Sequence, residues 1–277
     1  MSVVIAAHDE ERQLGRCLDA LLPQGELEVV VVANGCSDRT AGVARERGVK
    51  VIELPEPGKA AALRAGDTAC CAFPRLYLDA DVVLGPGSVP AMLACLAATG
   101  APACAPEPEL DLTGVSRVAA GFHRVHERLM AGRRGLAGAG AYVLSEAGHA
   151  RVWPMPDVLS DDGWVHRSFA PAERATAGRS LVRPARRVAA VVRRRARVRR
   201  GNRQLDRLGR TETRLGGADL VTLVRRREVT VPDAVCFVAV LVAERLPGWP
   251  TGRWGSPGQS GRSGGDDGWG SDRSSRD

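Results

Sequence analysis

Leu76-Tyr77-Leu78-Asp79-Ala80-Asp81-Val82-Val83-Leu84 is an apolar run interrupted by two carboxylates one residue apart. A short apolar run of this kind is the pattern of a buried strand, and such a strand tolerates charge only at its end. Side chains at i and i+2 of extended chain point the same way. Asp79 and Asp81 would then hold one hard divalent cation from one side, leaving its other side for phosphate oxygens and water. The competing reading is a strand followed by a turn with two solvated aspartates. These nine residues alone leave both open.

Upstream, three more compact apolar runs precede this one: Val3–Ala7, Leu27–Val32 and Val49–Leu54. Between the first two, Leu14, Cys17, Leu18, Leu21 and Leu22 recur at helical spacing. Asp9 is placed to cap that helix, Glu10 and Glu11 to favour its positive end, and Pro23 to stop it. Ser37 or Asp38 is expected to cap a second helix that ends near Gly48. After the loop Pro55–Gly58, the residues Lys59–Ala72 form an Ala-rich helix with Lys59 in its first turn. A cation there opposes the helix dipole, which suggests a use for the charge.

This alternation of strand and helix, with continuously apolar strands, predicts an α/β fold with a mostly parallel central sheet and helices on both faces. Ligands bind such sheets at the carboxyl ends of the strands. His8, Asp9, Glu10, Asn34, Asp38, Asp79 and Asp81 all follow strands at that edge.

Downstream, a helix is expected over Ser88–Ala98, a strand near Ala101–Ala105, a Pro- and acid-containing loop, and a helix near Val115–Met130. The strand Gly138–Ser145 is entered through small residues, which usually marks close backbone approach or a bulge. Pro156–Trp164 carries a second acidic pair, Asp161-Asp162. Its alternative reading is a helix start whose first turn the dipole favours.

At 277 residues, with 44% apolar and 26% charged residues, the chain has ample length to bury a core and an ordinary globular composition. Seven cysteines, mostly inside apolar runs (Cys17, Cys70, Cys71, Cys95, Cys104, Cys236), fit buried free thiols in a reducing compartment. No secretory signal opens the sequence, and the absence of a C-x-x-C pair argues against a structural zinc site.

Five stretches in order resemble the family-two inverting glycosyltransferases of the GT-A fold. VVIAAHDEE is similar to their opening strand with its Asn/Asp-Glu pair, and VVVVANGCSDRT to their second strand and Asp-containing loop. PGKAAALRAG resembles their lysine-glycine helix start, and LDADV their metal-binding Asp-x-Asp. GAGAYVLS with LSDDGW looks like their acceptor-side glycines and acidic base motif. The resemblance covers roughly residues 2–205.

It implies a nucleotide-diphospho-sugar transferase acting with Mg²⁺ or Mn²⁺. Ala7, His8 and Glu10 would lie against the nucleoside, Asn34 and Asp38 would border the base, and Lys59 would meet base or diphosphate. Asp79, with Ala80 beside it, would face ribose and diphosphate, while Asp79 and above all Asp81 would ligate the metal. Asp162, with Asp161 as runner-up, would take the proton from an acceptor hydroxyl. The expected donor is a UDP-sugar ahead of a GDP-sugar, but many family members carry an acidic pair where this chain has Ala33-Asn34, which leaves the choice of uracil over guanine open. Asp161 replaces the commoner Glu.

The net charge of +7 is local. Residues 183–200 hold nine arginines and no acid, and the rest of the chain has 30 basic against 32 acidic residues. Val188, Val192 and Ala196 fall at helical spacing within this run. Three readings compete for it: a solvated face, a helix lying on anionic lipid, or a helix closing over the donor diphosphate or an anionic acceptor. Nucleic acid is a poor fourth reading and is not an expected partner, because stacking aromatics are missing nearby. The run Ala234–Ala243 is shorter than the ~20 residues that span a bilayer, so it reads as a packed or membrane-surface helix.

The expected organisation is a catalytic domain over residues 1–182, a basic helical extension over 183–246, and a disordered tail over 247–277 with unexplained Trp249, Trp254 and Trp269. The expected setting is cytoplasmic, peripheral on the inner membrane face. The partners are a nucleotide sugar, an unidentified hydroxyl acceptor and an anionic membrane surface. Two rival functions are a non-catalytic nucleotide-sugar-binding or membrane-associated scaffold and, more remotely, a sugar nucleotidylyltransferase. The latter needs a Gly-rich, Arg-containing loop where this chain has His8-Asp9-Glu10-Glu11.

Overall fold

The computed structural model describes residues 1–131, 135–210 and 217–245. Its strands are β1 (Ser2–Ala7), β2 (Glu28–Asn34), β3 (Lys50–Leu54), β4 (Arg75–Asp79), β5 (Val83–Leu84), β6 (Ala103–Leu110), β7 (Ala141–Leu144) and β8 (Arg174–Val182). The helices are α1 (Leu14–Leu21), α2 (Thr40–Arg45), α3 (Lys59–Thr68), α4 (Ser88–Thr99), α5 (Arg117–Met130), α6 (Glu146–Val152), α7 (Asp161–Arg167), α8 (Val188–Arg207), α9 (Gly217–Arg225) and α10 (Val231–Ala243).

All eight strands form one sheet in the order β3-β2-β1-β4-β7-β6-β8-β5. The four apolar runs read from the sequence make its parallel half, β3-β2-β1-β4. Val3, Val4 and Ile5 at its centre are wholly buried, each worth about 1.5–3 kcal/mol relative to exposure. α1 packs Leu14, Cys17, Leu18 and Leu21 into the core on one face, and α3 packs Ala62 and Leu63 into the core on the other. The register sets Asp79 opposite Ala6, and Ala33 opposite Ala7. One row across the sheet therefore carries the ends of three strands.

Several local expectations give way. Asp9 does not cap α1: the helix starts at Leu14 after Gln13, so Glu10 and Glu11 also precede its first turn. Asp9 instead has φ +52° and accepts from the Ser37 N–H at 2.8 Å. α3 ends at Thr68 and not at Ala72. The Pro106–Leu110 stretch is strand, the continuation of β6, with a register shift between Ala105 and Glu107 that accommodates the prolines. β8 (RATAGRSLV) escaped notice because its sequence lacks a continuous apolar run. Of the cysteines, Cys17, Cys70 and Cys104 are buried free thiols, but Cys71 is exposed.

β7 runs antiparallel between β4 and β6, so it enters the sheet at the edge where β4 leaves it. Gly140 makes this join: the Asp79 N–H donates to its carbonyl at 2.8 Å. Its φ is +66°, and a Cβ there would come within 2.3 Å of Val82 Cγ2. The close approach expected of the small-residue entry is thus met at this position.

The arginine-rich run is helical from Val188 on, as α8, while Arg183, Arg186 and Arg187 precede the helix. Its buried Ala190, Val191 and Val192 share a third apolar cluster with Phe122 and Val125 of α5 and with Phe237 and Val240 of α10. The far end of α8 packs on α7: a Cβ on Gly201 would lie 3.2 Å from Ser160 Cβ, and one on Gly163 would lie 3.0 Å from Leu205 Cδ1. Gln204 latches the preceding loop, accepting from the Leu159 N–H at 2.9 Å and donating to the Asp157 carbonyl at 2.8 Å. The expected tail with its three tryptophans lies outside the described residues.

Candidate active site

Asp79 is the last residue of β4, but Asp81 is not on extended chain. A turn follows the strand, closed by the Val82 N–H on the Asp79 carbonyl at 3.2 Å. The strand-alternation argument for pairing the two carboxylates therefore fails, and the turn brings them together in its place. Burial, and after it the charge of Asp79, raises the Asp81 pKa against the pull of Arg194 and Lys59.

Lys59, at the start of α3, joins this strand end to the second acidic pair. Its Nζ lies 2.6 Å from Asp79 Oδ1 and 2.8 Å from Asp161 Oδ1. Burial alone would lower the Lys59 pKa, but Asp161, Asp79 and Asp162 reverse the sign and hold it above the ordinary lysine value. That is the use for a cation placed against the helix dipole.

Asp161 and Asp162 open α7 and have different surroundings. Asp161 is buried, and burial raises its pKa although Lys59 opposes the rise. Asp162 accepts from Ser160 Oγ at 2.8 Å, from the Gly163 N–H at 2.7 Å and from the Gly138 N–H at 3.0 Å. These bonds and Lys59 overcome its own desolvation, so Asp162 lies below the ordinary aspartate value and is ionised at neutral pH. The helix-start reading of this stretch holds, with both acids in the first turn of α7.

Asp79, Gly140, Tyr142, Asp161 and Asp162 line one cleft. Tyr142 was not singled out from the sequence. It is 2% exposed, and its hydroxyl is buried with no hydrogen-bond partner. Only the surroundings of β7 reveal this; an isolated tyrosine in a strand carries no such signal.

Glu10, also buried, belongs to the same rim. The Cys17 thiol below the strand ends donates weakly to the Asp79 carbonyl, 3.7 Å from Sγ, and has its pKa raised by burial and then by Asp81, Asp79 and Glu10. All three carboxylates thus act electrostatically on one sulfur. Ala7 and His8 continue from β1, and His8 Nδ1 lies 2.6 Å from the Asn34 carbonyl. Ala80, in the turn, is buried.

Asn34 and Asp38 are held by the protein itself. Asn34 Nδ2 donates to the carbonyls of Ala7 and Val32, while its Oδ1 accepts from the Gly58 N–H at 2.9 Å. The amide thus ties the ends of β1 and β2 to the start of α3. Asp38 accepts from the backbone N–H groups of Glu11 and Thr40. Both shape the loop beside His8 and Glu10.

The arginine run divides by face. Arg195 and Arg199 pair with the buried Glu244, at 2.9 and 3.6 Å. Arg194, exposed, and Arg197, half-buried, fall three apart on α8 and interact electrostatically with the acids. Arg194 acts on Asp81, while Asp79, Asp162 and Asp161 act on Arg197, whose pKa burial nevertheless lowers. Farther from the acids, Arg167 reaches Asp206 at 3.0 Å and Asn202 at 2.8 Å, bracing α7 against α8.

The donor set suits a hard divalent cation, since Asp79 and Asp81 offer hard carboxylate oxygens two residues apart across one turn. Among the described residues, His8, Asp9 and Cys36 also have potential ligand atoms within 4.8 Å of one another. That mixed set lies at the end of β1, and the Cys36 thiol there is pushed up by burial.

Residues 2–109 match the model of glycosyl transferase family 2. Over this amino-terminal segment the chain is similar to that family. A 4,4'-diaponeurosporenoate glycosyltransferase of Staphylococcus aureus is 32% identical over 89 residues, which are 30% of this chain and 24% of that protein. The chain thus spans about a quarter of the length of these curated relatives.

Among solved structures, a mannosyltransferase from Pyrobaculum calidifontis in complex with GDP-Man and Mn²⁺ superposes with a TM-score of 0.58 at 17% identity, covering 87% of this chain and 74% of that one. Glucosyl-3-phosphoglycerate synthase from Mycobacterium tuberculosis, in complex with Mn²⁺, UDP and glucosyl-3-phosphoglycerate, superposes with a TM-score of 0.53 at 21% identity, covering 78% and 82%. These likenesses show the GT-A fold for the matched segment and for the sheet that follows it.

Proposed function

We propose that the protein is a metal-dependent inverting glycosyltransferase that moves a sugar from a nucleotide-diphospho sugar, preferably a UDP-sugar, to an acceptor hydroxyl. The observation that carries this reading is Lys59 Nζ between Asp79 and Asp161, which places both acidic motifs on one cleft. In this reading residues 1–182 form the catalytic unit and 183–246 a basic extension that supplies Arg194 and Arg197.

Asp79 and Asp81 would hold Mg²⁺ or Mn²⁺, which when bound supplies Lewis-acid stabilisation of the leaving diphosphate. Ala7, His8 and Glu10 flank the nucleoside, in a pocket whose wall Asn34 and Asp38 fix. Lys59, Arg194 and Arg197 offer positive charge to the diphosphate once it separates them from the acids. Asp162, ionised and on the cleft, takes the acceptor proton. Asp161, neutralised against Lys59, holds that lysine in place. One displacement at the anomeric carbon inverts its configuration. The setting is the cytoplasm at the inner face of a membrane.

The alternative is a protein that binds nucleotide sugar or a membrane without turnover. Donor hydrolysis and transfer in Mn²⁺ and in chelator separate the two. The transferase turns over only with metal, and Asp162→Asn lowers its rate by about 10²–10⁴ with donor affinity kept. Donor binding without turnover in either condition contradicts the proposal, and near-normal rates in Asp162→Asn would move the base to Asp161.

A further inference from the structure

α10 wears its polarity inside out. The sequence from Ala234 to Ala243 contains no charged residue, and the acids at its two ends face inward. Asp233 is buried and pairs with Arg124 at 2.6 Å, while Glu244 is buried and pairs with Arg195 and Arg199. With Phe237 and Val240, these residues fall at i, i+4, i+7 and i+11 and make the packed face. The opposite face has the same spacing: Val231 is 63% exposed, Val235 62%, Val238 45% and Val242 52%. Four valines in line over about three turns stand in water, with every nearby acid of the helix turned away from them.

Basic residues stand at both ends of this stripe. Arg225, Arg226 and Arg227, with the single acid Glu228 after them, are exposed just before the helix, and Arg245 is exposed just after it. Thirteen residues rise about 20 Å, short of the ~30 Å hydrocarbon core, and no described helix is long and apolar enough to cross a membrane. An apolar face edged by arginines fits the boundary between headgroups and acyl chains. A second copy of the chain fits it badly, because stripe-to-stripe pairing about a two-fold axis sets the arginines at one end of α10 against those at the other end of its partner.

We infer that the Val231–Val235–Val238–Val242 face of α10 docks on an anionic lipid surface, with Arg225–Arg227 and Arg245 meeting the phosphates. The inference rests on the transferase reading only in giving that enzyme a membrane-borne acceptor. Docking does not use the catalytic cleft.

The test is flotation of the full chain with phosphatidylglycerol/phosphatidylcholine vesicles and with pure phosphatidylcholine vesicles. The variants are Val235→Lys/Val238→Lys and Arg225→Gln/Arg226→Gln/Arg227→Gln, each checked by thermal melting and by light scattering for mass. A chain ending at 245 tests whether the remaining residues cover the stripe. Expected is binding to anionic vesicles that falls at least tenfold in the valine variant. In the arginine variant the preference for anionic lipid is lost, and donor hydrolysis in vesicle-free solution is unchanged in both.

No vesicle binding by the full chain overturns the inference, as does binding that appears only on removal of residues 246–277. Valine variants that bind as wild type, or that dissolve a dimer found in solution, also overturn it. Loss of donor hydrolysis in the wild type bears on the transferase and leaves the flotation result intact.

Discussion

Lys59 Nζ sits 2.8 Å from Asp161 Oδ1, an ion pair that ties the first turn of α3 to the first turn of α7. The two residues are about a hundred apart in the chain, and the contact turns two acidic motifs into one site. The lysine also reaches Asp79, so without it three carboxylates face one another at close range.

Lys59→Met is therefore expected to destabilise the fold by about 1–3 kcal/mol in urea, less than for a fully buried pair because Asp79 is partly exposed. The Lys59 pKa is raised on folding, so its contribution persists through the neutral range and disappears only as pH rises through the raised value. A denaturation midpoint that matches wild type at pH 7 would contradict the bridging role.

Asp81→Asn tests the site in the opposite direction. Burial, and then Asp79, raises the Asp81 pKa above 3.8 on folding. Below 3.8 both states are protonated and the variant should match wild type. As pH climbs from there through the raised folded value, the wild type loses stability that the variant keeps. In chelator at pH 7 the variant should melt higher. Mn²⁺ should reverse the order by stabilising the wild type alone, with a gain of about 2.7 kcal/mol at a hundredfold excess over Kd.

Tyr142→Phe removes a buried hydroxyl that has no protein partner. The fold should be unchanged or slightly more stable, by up to about 1 kcal/mol, because an unsatisfied polar group is relieved. If the hydroxyl donates to the substrate, transfer should fall roughly tenfold, the worth of one net hydrogen bond. A loss of stability with full activity would assign Tyr142 to the core alone.

Arg197→Gln should raise the KM for the donor about ten- to a hundredfold with a smaller effect on kcat, as loss of a charge-assisted contact to phosphate would. Arg203→Gln, exposed and about 120° round α8 from Arg197, serves as the control and should be kinetically silent. Equal effects from both would mean that α8 acts through its general field.

The parallel half of the sheet was legible because Val3–Ala7 and Val29–Val32 are apolar without a break, a pattern only full burial explains. Asp79 was legible as a charge that ends such a run, and Lys59 as a charge in the wrong place on a helix. The strand-alternation argument for Asp81 does not hold, since a turn follows Asp79 and not extended chain. Asp9 misled because a capping pattern carries no sign of a positive φ held by Ser37. Nor could the sequence say which arginines of 183–200 interact with the acids: Arg195 and Arg199 are held by Glu244, more than forty residues away. Tyr142 and the outward valines of α10 acquire meaning only from what fails to touch them.

The most direct test is calorimetric titration of UDP into wild type and Asp81→Ala, each in Mn²⁺ and in chelator. The account predicts that Mn²⁺ tightens binding at least tenfold in the wild type, and that the variant binds equally weakly in both conditions. Equal affinity of the two proteins for UDP in Mn²⁺ would contradict a cation shared between this strand end and the diphosphate.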